Sequence, residues 1–284
     1  MKSRAFKQVD VFTAVPLLGN PVAVVLDGRG LTTEAMQRFA NWTNLSETTF
    51  YLPATAPGAD YELRIFTPLF ELKFAGHPTL GSAHAILEAG LATPKDGRLV
   101  MQCKVGLVDI AVPADWRSAG LSFRLPAYEI WPAPEPDALR AAMRSGPFKR
   151  EPAVVNVGPH WVIVELESAD QVSALAPDLP ALAAYDRAQR TTGLTVFAEG
   201  GAADITVRSF APLDGIAEDP VCGSGNGAAA AFRLETGGTR VGDSYRASQG
   251  REIGRDGHIA IRYGNDGIHV GGNCVTCIDG LVTL

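Results

Sequence analysis

The chain has 284 residues, 25 basic against 31 acidic, for a formal net charge of −6, with 46% hydrophobic and 20% charged residues. The charge includes no basic stripe, which excludes a nucleic-acid partner. No apolar run approaches the ~20 residues that span a bilayer, so a membrane role is excluded as well. Met1–Lys7 turns polar again before a signal-peptide core forms. The expectation is a cytoplasmic protein of two domains.

In chain order, Val22–Leu26 reads as a strand after Gly19-Asn20-Pro21. Thr32 or Thr33 caps a helix that buries Met36, Phe39 and Ala40. Tyr61, Leu63 and Ile65 alternate on one face of a half-buried strand. Ala75-Gly76-His77-Pro78-Thr79-Leu80-Gly81 opens a further helix. Leu99–Cys103, Leu107–Val112 and Leu121–Leu125 read as strands, and the proline-rich stretch Trp131–Pro136 as the linker between halves. Trp161–Leu166 is a strand, and Asp178 caps a helix through Leu182 and Tyr185. Cys222-Gly223-Ser224-Gly225-Asn226-Gly227-Ala228 opens another helix. Cys274 and Cys277 fall in a C-terminal strand. There, positions i and i+3 face opposite sides, and no second CxxC exists to complete a zinc site.

The chain repeats itself. Arg64-Ile65-Phe66-Thr67-Pro68-Leu69 recurs as Arg208-Ser209-Phe210-Ala211-Pro212-Leu213, an offset of 144 (208 − 64). The glycine loops recur at 147 (223 − 76), and the upstream Gly19 and Gly158 at 139 (158 − 19). Two copies of one α+β unit are predicted, with an active site in the cleft between them.

Each glycine loop starts a helix, where unpaired backbone N–H groups and a partial positive charge suit a carboxylate. Close helix-to-strand packing is the better account of a single such loop, and two loops at equivalent repeat positions favour the anion site. Glu47 aligns with Gly193, so only one copy carries a carboxylate there, and the second copy gains three residues around Glu218-Asp219-Pro220. Carboxylates from the two halves, partly desolvated, would suit proton transfer. Glu47 also fits a capping role at a strand start, and His77 a local backbone hydrogen bond. Glu71, just before the first loop, is a rival base, but it reads better as an ion-pair partner of a neighbour such as Lys73. Cys222, at a helix start, has the setting that lowers a thiol pKa, though its counterpart is Ala75. His77 and His84 stand seven residues apart, roughly 10 Å along a helix, which is too far for one metal. No metal and no cofactor are predicted.

Asp10-Val11-Phe12, Gly19-Asn20-Pro21, Leu45-Ser46-Glu47-Thr48-Thr49-Phe50, the run Phe74–Gly81, and Glu218-Asp219-Pro220-Val221-Cys222-Gly223-Ser224-Gly225 occur in the order found in the PhzF family of phenazine-biosynthesis-like isomerases. Val270-Gly271-Gly272, the Gln249-Gly250 turn and Gly254-Arg255 also fit, so the chain resembles that family over nearly its whole length. The resemblance implies the diaminopimelate epimerase-like α+β fold, two pseudo-symmetric lobes, each a mostly antiparallel sheet around a central helix. Residues 1–127 would form the first lobe and 128–284 the second, with the last strand crossing back. Ala75–Leu87 and Cys222–Leu234 would be the central helices.

It further implies that Glu47 shuttles a proton between carbons of a substrate such as trans-2,3-dihydro-3-hydroxyanthranilate, assisted by His77, Asp219 and Ser224. Asn20, Gly76, Gly223 and Gly225 would bind the substrate, the helix-start amides holding its carboxylate. A homodimer is implied too. Cys222 stands where many phenazine enzymes have Thr, and Gly225-Asn226-Gly227 replaces a more Ala-like run, so the resemblance implies the chemistry rather than one substrate. The expected function is therefore isomerisation of a small carboxylated metabolite. An amino-acid racemase or epimerase using Cys222, and a non-catalytic small-anion binding protein, are the alternatives.

Overall fold

The computed structural model describes residues 2–284. The chain forms two compact units, Met1–Arg124 with Gly271–Leu284, and Leu125–Val270.

The first unit comprises β1 (Ser3–Val11), β2 (Asn20–Val25), α1 (Thr33–Thr43), β3 (Glu47–Leu52), β4 (Tyr61–Phe66), β5 (Glu71–Leu72), α2 (Gly76–Glu88), β6 (Arg98–Cys103), β7 (Gly106–Ala111), α3 (Trp116–Ala119) and β8 (Leu121–Arg124). The second runs through β9 (Glu129–Pro132), α4 (Pro136–Met143), β10 (Ala153–Asn156), β11 (His160–Glu165), α5 (Ala169–Ser173), α6 (Leu179–Gln189), β12 (Gly193–Glu199), β13 (Ile205–Ala211), β14 (Ile216–Asp219), α7 (Gly223–Glu235), β15 (Ser244–Gln249) and β16 (Gly257–Gly264). β17 (Gly267–Gly272) carries the chain back, and β18 (Cys274–Thr283) lies in the first unit.

The two units share one order of pairing. In the first, β1 is antiparallel to β2, β2 parallel to β3, β3 antiparallel to β4, β4 antiparallel to β5 and parallel to β6, and β6 antiparallel to β7. In the second, the same relations join β10 to β11, β11 to β12, β12 to β13, β13 to β14 and to β15, and β15 to β16. Each unit adds one outer antiparallel strand, β18 on β1 and β9 on β10.

One buried helix fills each sheet. Gly76 to Ile86 of α2 are buried on every side, as are most residues of α7, the pattern of a core helix rather than a surface one. α2 packs on β1, β2, β3 and β8, and α7 on β10, β11, β12 and β16. By contrast α1 is amphipathic. Thr32 caps it by accepting from the Ala35 N–H at 3.2 Å, Met36, Phe39 and Ala40 face the core, and Asn44 ends it in the left-handed conformation. In the same way, Asp178 caps α6 through the Ala181 N–H at 3.1 Å.

The arginines of the repeated motif have equivalent surroundings. Arg64 grips both carboxyl oxygens of Glu71 at 2.8 Å and lies over Phe66; Arg208 grips Glu218 at 2.9 and 2.8 Å and lies over Phe210. Glu71 therefore pairs with Arg64, and with Lys104 at 2.7 Å, rather than with Lys73.

The stretch Trp131–Pro136 differs from the expected linker. Glu129–Pro132 pairs with β10, and Pro136 starts α4, where a missing N–H costs nothing. Prolines at a strand end and a helix start imitate a linker in the sequence. Among the described residues no helix is long and apolar enough to cross a membrane.

Candidate active site

Glu47 opens β3, three residues beyond the Asn44 that ends α1. Its rung partner across the parallel ladder is Val22. In the second unit the matching first rung is Trp161 with Gly193. A side chain on Gly193 would collide with the Phe210 carbonyl oxygen, so this rung holds no counterpart of Glu47.

His77 is the second residue of α2 and is 6% exposed. Its Nε2 lies 3.3 Å from Glu47 Oε2. Burial drives the imidazole down from its ordinary 6.5 to about 3, against the opposing pull of a ring hydrogen bond to Pro21. Proline has no N–H, so the ring donates to the Pro21 carbonyl from its other nitrogen, Nδ1. Nε2 then presents a lone pair to the carboxyl oxygen. Asn20, fully buried at the start of β2, accepts from the Ser46 hydroxyl at 3.4 Å and ties the approach to β2 to the residue before Glu47.

No side chain caps the start of α2 at Ala75. The amides of Gly76 and His77 belong to the first turn, which has no intrahelical acceptors for them. At α7 the cap is the Cys222 sulfur, which accepts from the Gly225 N–H at 3.2 Å. Gly225 itself is fixed by packing. A Cβ there would lie 2.5 Å from Thr195 Oγ1 and 2.9 Å from Ser209 Oγ.

Asp219 ends β14, and its Oδ1 accepts from the Val221 N–H at 3.0 Å. Burial pushes its carboxyl group up from 3.8 to about 6, and the neighbouring Glu218 adds to this. Gln249, read in the sequence only as part of a turn, fastens this segment to α7. It donates to the Asp219 carbonyl at 3.0 Å and accepts from the Cys222 N–H at 3.1 Å and the Asn226 amide at 2.8 Å. Trp161 is a second residue that sequence reasoning missed. Its indole N–H donates to the Ser224 hydroxyl at 3.0 Å. A buried Trp needs such a partner, but which one depends on packing.

Cys222 departs from expectation. It is 4% exposed, and burial, together with the charge of Asp219, pushes its thiol well above the ordinary value. These effects outweigh the lowering expected at a helix start. All four cysteines are free thiols. Among the described residues, no three His, Cys, Asp or Glu side chains gather closely enough to hold a metal ion.

Comparison with known proteins places these features in a family. The sequence profile of the phenazine biosynthesis-like proteins, PhzC-PhzF, matches residues 9–280. The chain belongs to this family. Its relatives include the trans-2,3-dihydro-3-hydroxyanthranilate isomerase of Pseudomonas aeruginosa, 35% identical over 97% of this chain and 98% of the relative. Another, Antisense-enhancing sequence 1 of Schizosaccharomyces pombe, is 38% identical over 99% of both. A solved structure, the PhzF-family phenazine biosynthesis protein of Bacillus anthracis, superimposes with a TM-score of 0.87 over 100% of both chains at 24% identity, which shows the fold. The architecture is that of PhzF-type isomerases, two α+β units of the kind also seen in proline-racemase-type enzymes. In this PhzF-family chain, Glu47, His77 and Asn20 belong to the first unit, and Asp219, Cys222 and Ser224 to the second.

Proposed function

We propose that this chain is a cofactor-independent isomerase that moves a proton on a small carboxylated substrate, with Glu47 as the acid/base. The observation that carries this reading is the 3.3 Å contact between Glu47 Oε2 and Nε2 of a buried, neutral His77. Glu47 takes a proton from one carbon of the substrate and returns it to another. No atom is gained or lost, and no electron acceptor is required. His77 holds the carboxyl group in place and accepts its hydrogen bond in the protonated state. Asp219 and Ser224 assist, with Asp219 raised to about 6 and so able to hold or release a proton near neutral pH. The first-turn amides of α2 and α7 suit the substrate carboxylate.

The relatives' named substrate, trans-2,3-dihydro-3-hydroxyanthranilate, is the first compound to try. The protein is incubated with it in D₂O beside Glu47→Gln and followed by NMR. Conversion with deuterium incorporation, absent from the variant, supports the reading. Full turnover by Glu47→Gln ends it. The competing racemase reading needs a reactive Cys222 thiolate, and the buried, raised thiol disfavours it.

A further inference from the structure

Trp161 carries an inference of its own. The residue is 3% exposed, and its indole is both wedged and bonded. One edge of the ring, at Cζ3, lies 3.0 Å from where a Cβ on Gly193 would sit, and Nε1–H donates to Ser224 Oγ at 3.0 Å. Trp161 with Gly193 forms the first rung of its parallel ladder, as Val22 with Glu47 does in the first unit. Where one unit places a carboxylate, the other places an indole against a bare glycine.

The direction of the bonds beyond Ser224 follows from valence. An indole N–H only donates, so Ser224 Oγ is the acceptor and its own proton points elsewhere. Cys222 Sγ lies 3.6 Å from Ser224 Oγ, accepts from the Gly225 N–H, and also bonds the Asp219 carboxyl group. An ionised Asp219 only accepts. The single thiol proton is therefore committed to Asp219, and the Ser224 proton to sulfur. When Asp219 gains a proton the order reverses. Asp219 donates to sulfur, the thiol donates to Ser224 Oγ, and the indole already occupies the other lone pair. The hydroxyl proton of Ser224 is then directed outward.

We propose that Trp161 is a positioning residue of the reaction, whose indole N–H fixes the Ser224 hydroxyl and, through Cys222, orders the Asp219 carboxyl group. This rests on the assignment of Ser224 and Asp219 as assisting groups. Cys222 serves as a link in this row and not as a nucleophile.

Two readouts test it. In the first, protein labelled with ¹³C at aspartate carboxyls is titrated by NMR as wild type, Trp161→Phe, Trp161→His and Ser224→Ala. Trp161→Phe keeps a ring but removes the donor, and Trp161→His restores a ring N–H. The expected result is an Asp219 midpoint raised by about half a unit or more in Trp161→Phe and in Ser224→Ala, and restored in Trp161→His. In the second, turnover of trans-2,3-dihydro-3-hydroxyanthranilate falls about tenfold in Trp161→Phe with KM unchanged, and the double variant with Ser224→Ala is no slower than Ser224→Ala alone. An Asp219 titration unmoved in a folded Trp161→Phe overturns the proposal, with or without a substrate. So do losses that multiply in the double variant, or full turnover by Ser224→Ala. Full turnover by Glu47→Gln sinks the isomerase reading instead, and leaves the titration to decide the row of bonds.

Discussion

Oε2 of Glu47 stands 3.3 Å from Nε2 of His77, a ring that spends its one proton on the far side, at the Pro21 carbonyl. The pair is asymmetric. The histidine stays neutral, and its Nε2 faces the carboxyl group as an acceptor.

That asymmetry fixes a pH dependence. His77 titrates at about 3 in the folded protein against an ordinary 6.5, so between these values only the unfolded chain binds the proton. The stability that His77 contributes is complete above pH 6.5 and is lost as the pH falls toward 3. Thermal midpoints measured from pH 7 to 4 are expected to fall more steeply in wild type than in His77→Gln. Ring ¹⁵N shifts of His77 should stay those of a neutral imidazole at pH 5, and turnover of His77→Gln should drop roughly 10²-fold. A protonated ring at pH 5 contradicts the arrangement.

Asp219 has the opposite sign. Its carboxyl titrates at about 6 when folded and at 3.8 ordinarily, so the folded protein keeps a proton that the unfolded chain has lost. The ionised group therefore costs stability above pH 6. Asp219→Asn is expected to raise the thermal midpoint at pH 7.5, change it little at pH 3.5, and lower turnover. An equal shift at both pH values would assign the effect to packing.

The two bidentate arginine pairs should differ in weight. Removing Arg64 leaves Glu71 with Lys104. Removing Arg208 strands Glu218, whose side chain is 9% exposed, and strips the carbonyls of Ser173 and Leu175 of their guanidinium donor. Arg208→Met should cost about 3–5 kcal/mol in urea unfolding, and Arg64→Met clearly less. Equal losses would mean that Lys104 contributes nothing.

Thiol chemistry separates the readings of Cys222. In the native protein, iodoacetamide should label the half-buried Cys103 and Cys277 first, and Cys222 only on unfolding. Cys222→Ser preserves a donor and an acceptor and should keep turnover within about threefold. Rapid native labelling of Cys222 that abolishes turnover would revive the racemase.

Much of this was legible before any coordinates. The Thr32 cap with Met36, Phe39 and Ala40, the alternation of Tyr61, Leu63 and Ile65, and the two glycine-opened helices follow from local pattern, which acts over a few residues. Motif spacing aligned Glu47 with Gly193, and both stand on the first rung of a parallel ladder. What stayed hidden depends on distant residues. Nothing near Trp161 in sequence names Ser224 as its acceptor. Nothing near Cys222 shows that burial overrides the helix terminus. Glycine-rich spacing does not separate Gly225, held by the hydroxyls of Thr195 and Ser209, from a glycine that admits a ligand. The short helices α3, α4 and α5 lack a long periodic run and went unread.

The pairing of β18 with β1 has a consequence for synthesis. The strand that covers the outer side of β1 is Cys274–Thr283, so the first unit to leave the ribosome is the last to be finished. Leu125–Val270 is threaded as an interruption within it and has all its own strands at hand earlier. Until β18 has emerged, β1 waits with an open row of hydrogen-bonding groups, the kind of edge on which misassembly begins. A truncation that removes only β18 would therefore wound the unit that holds β1 and spare the one between them in sequence.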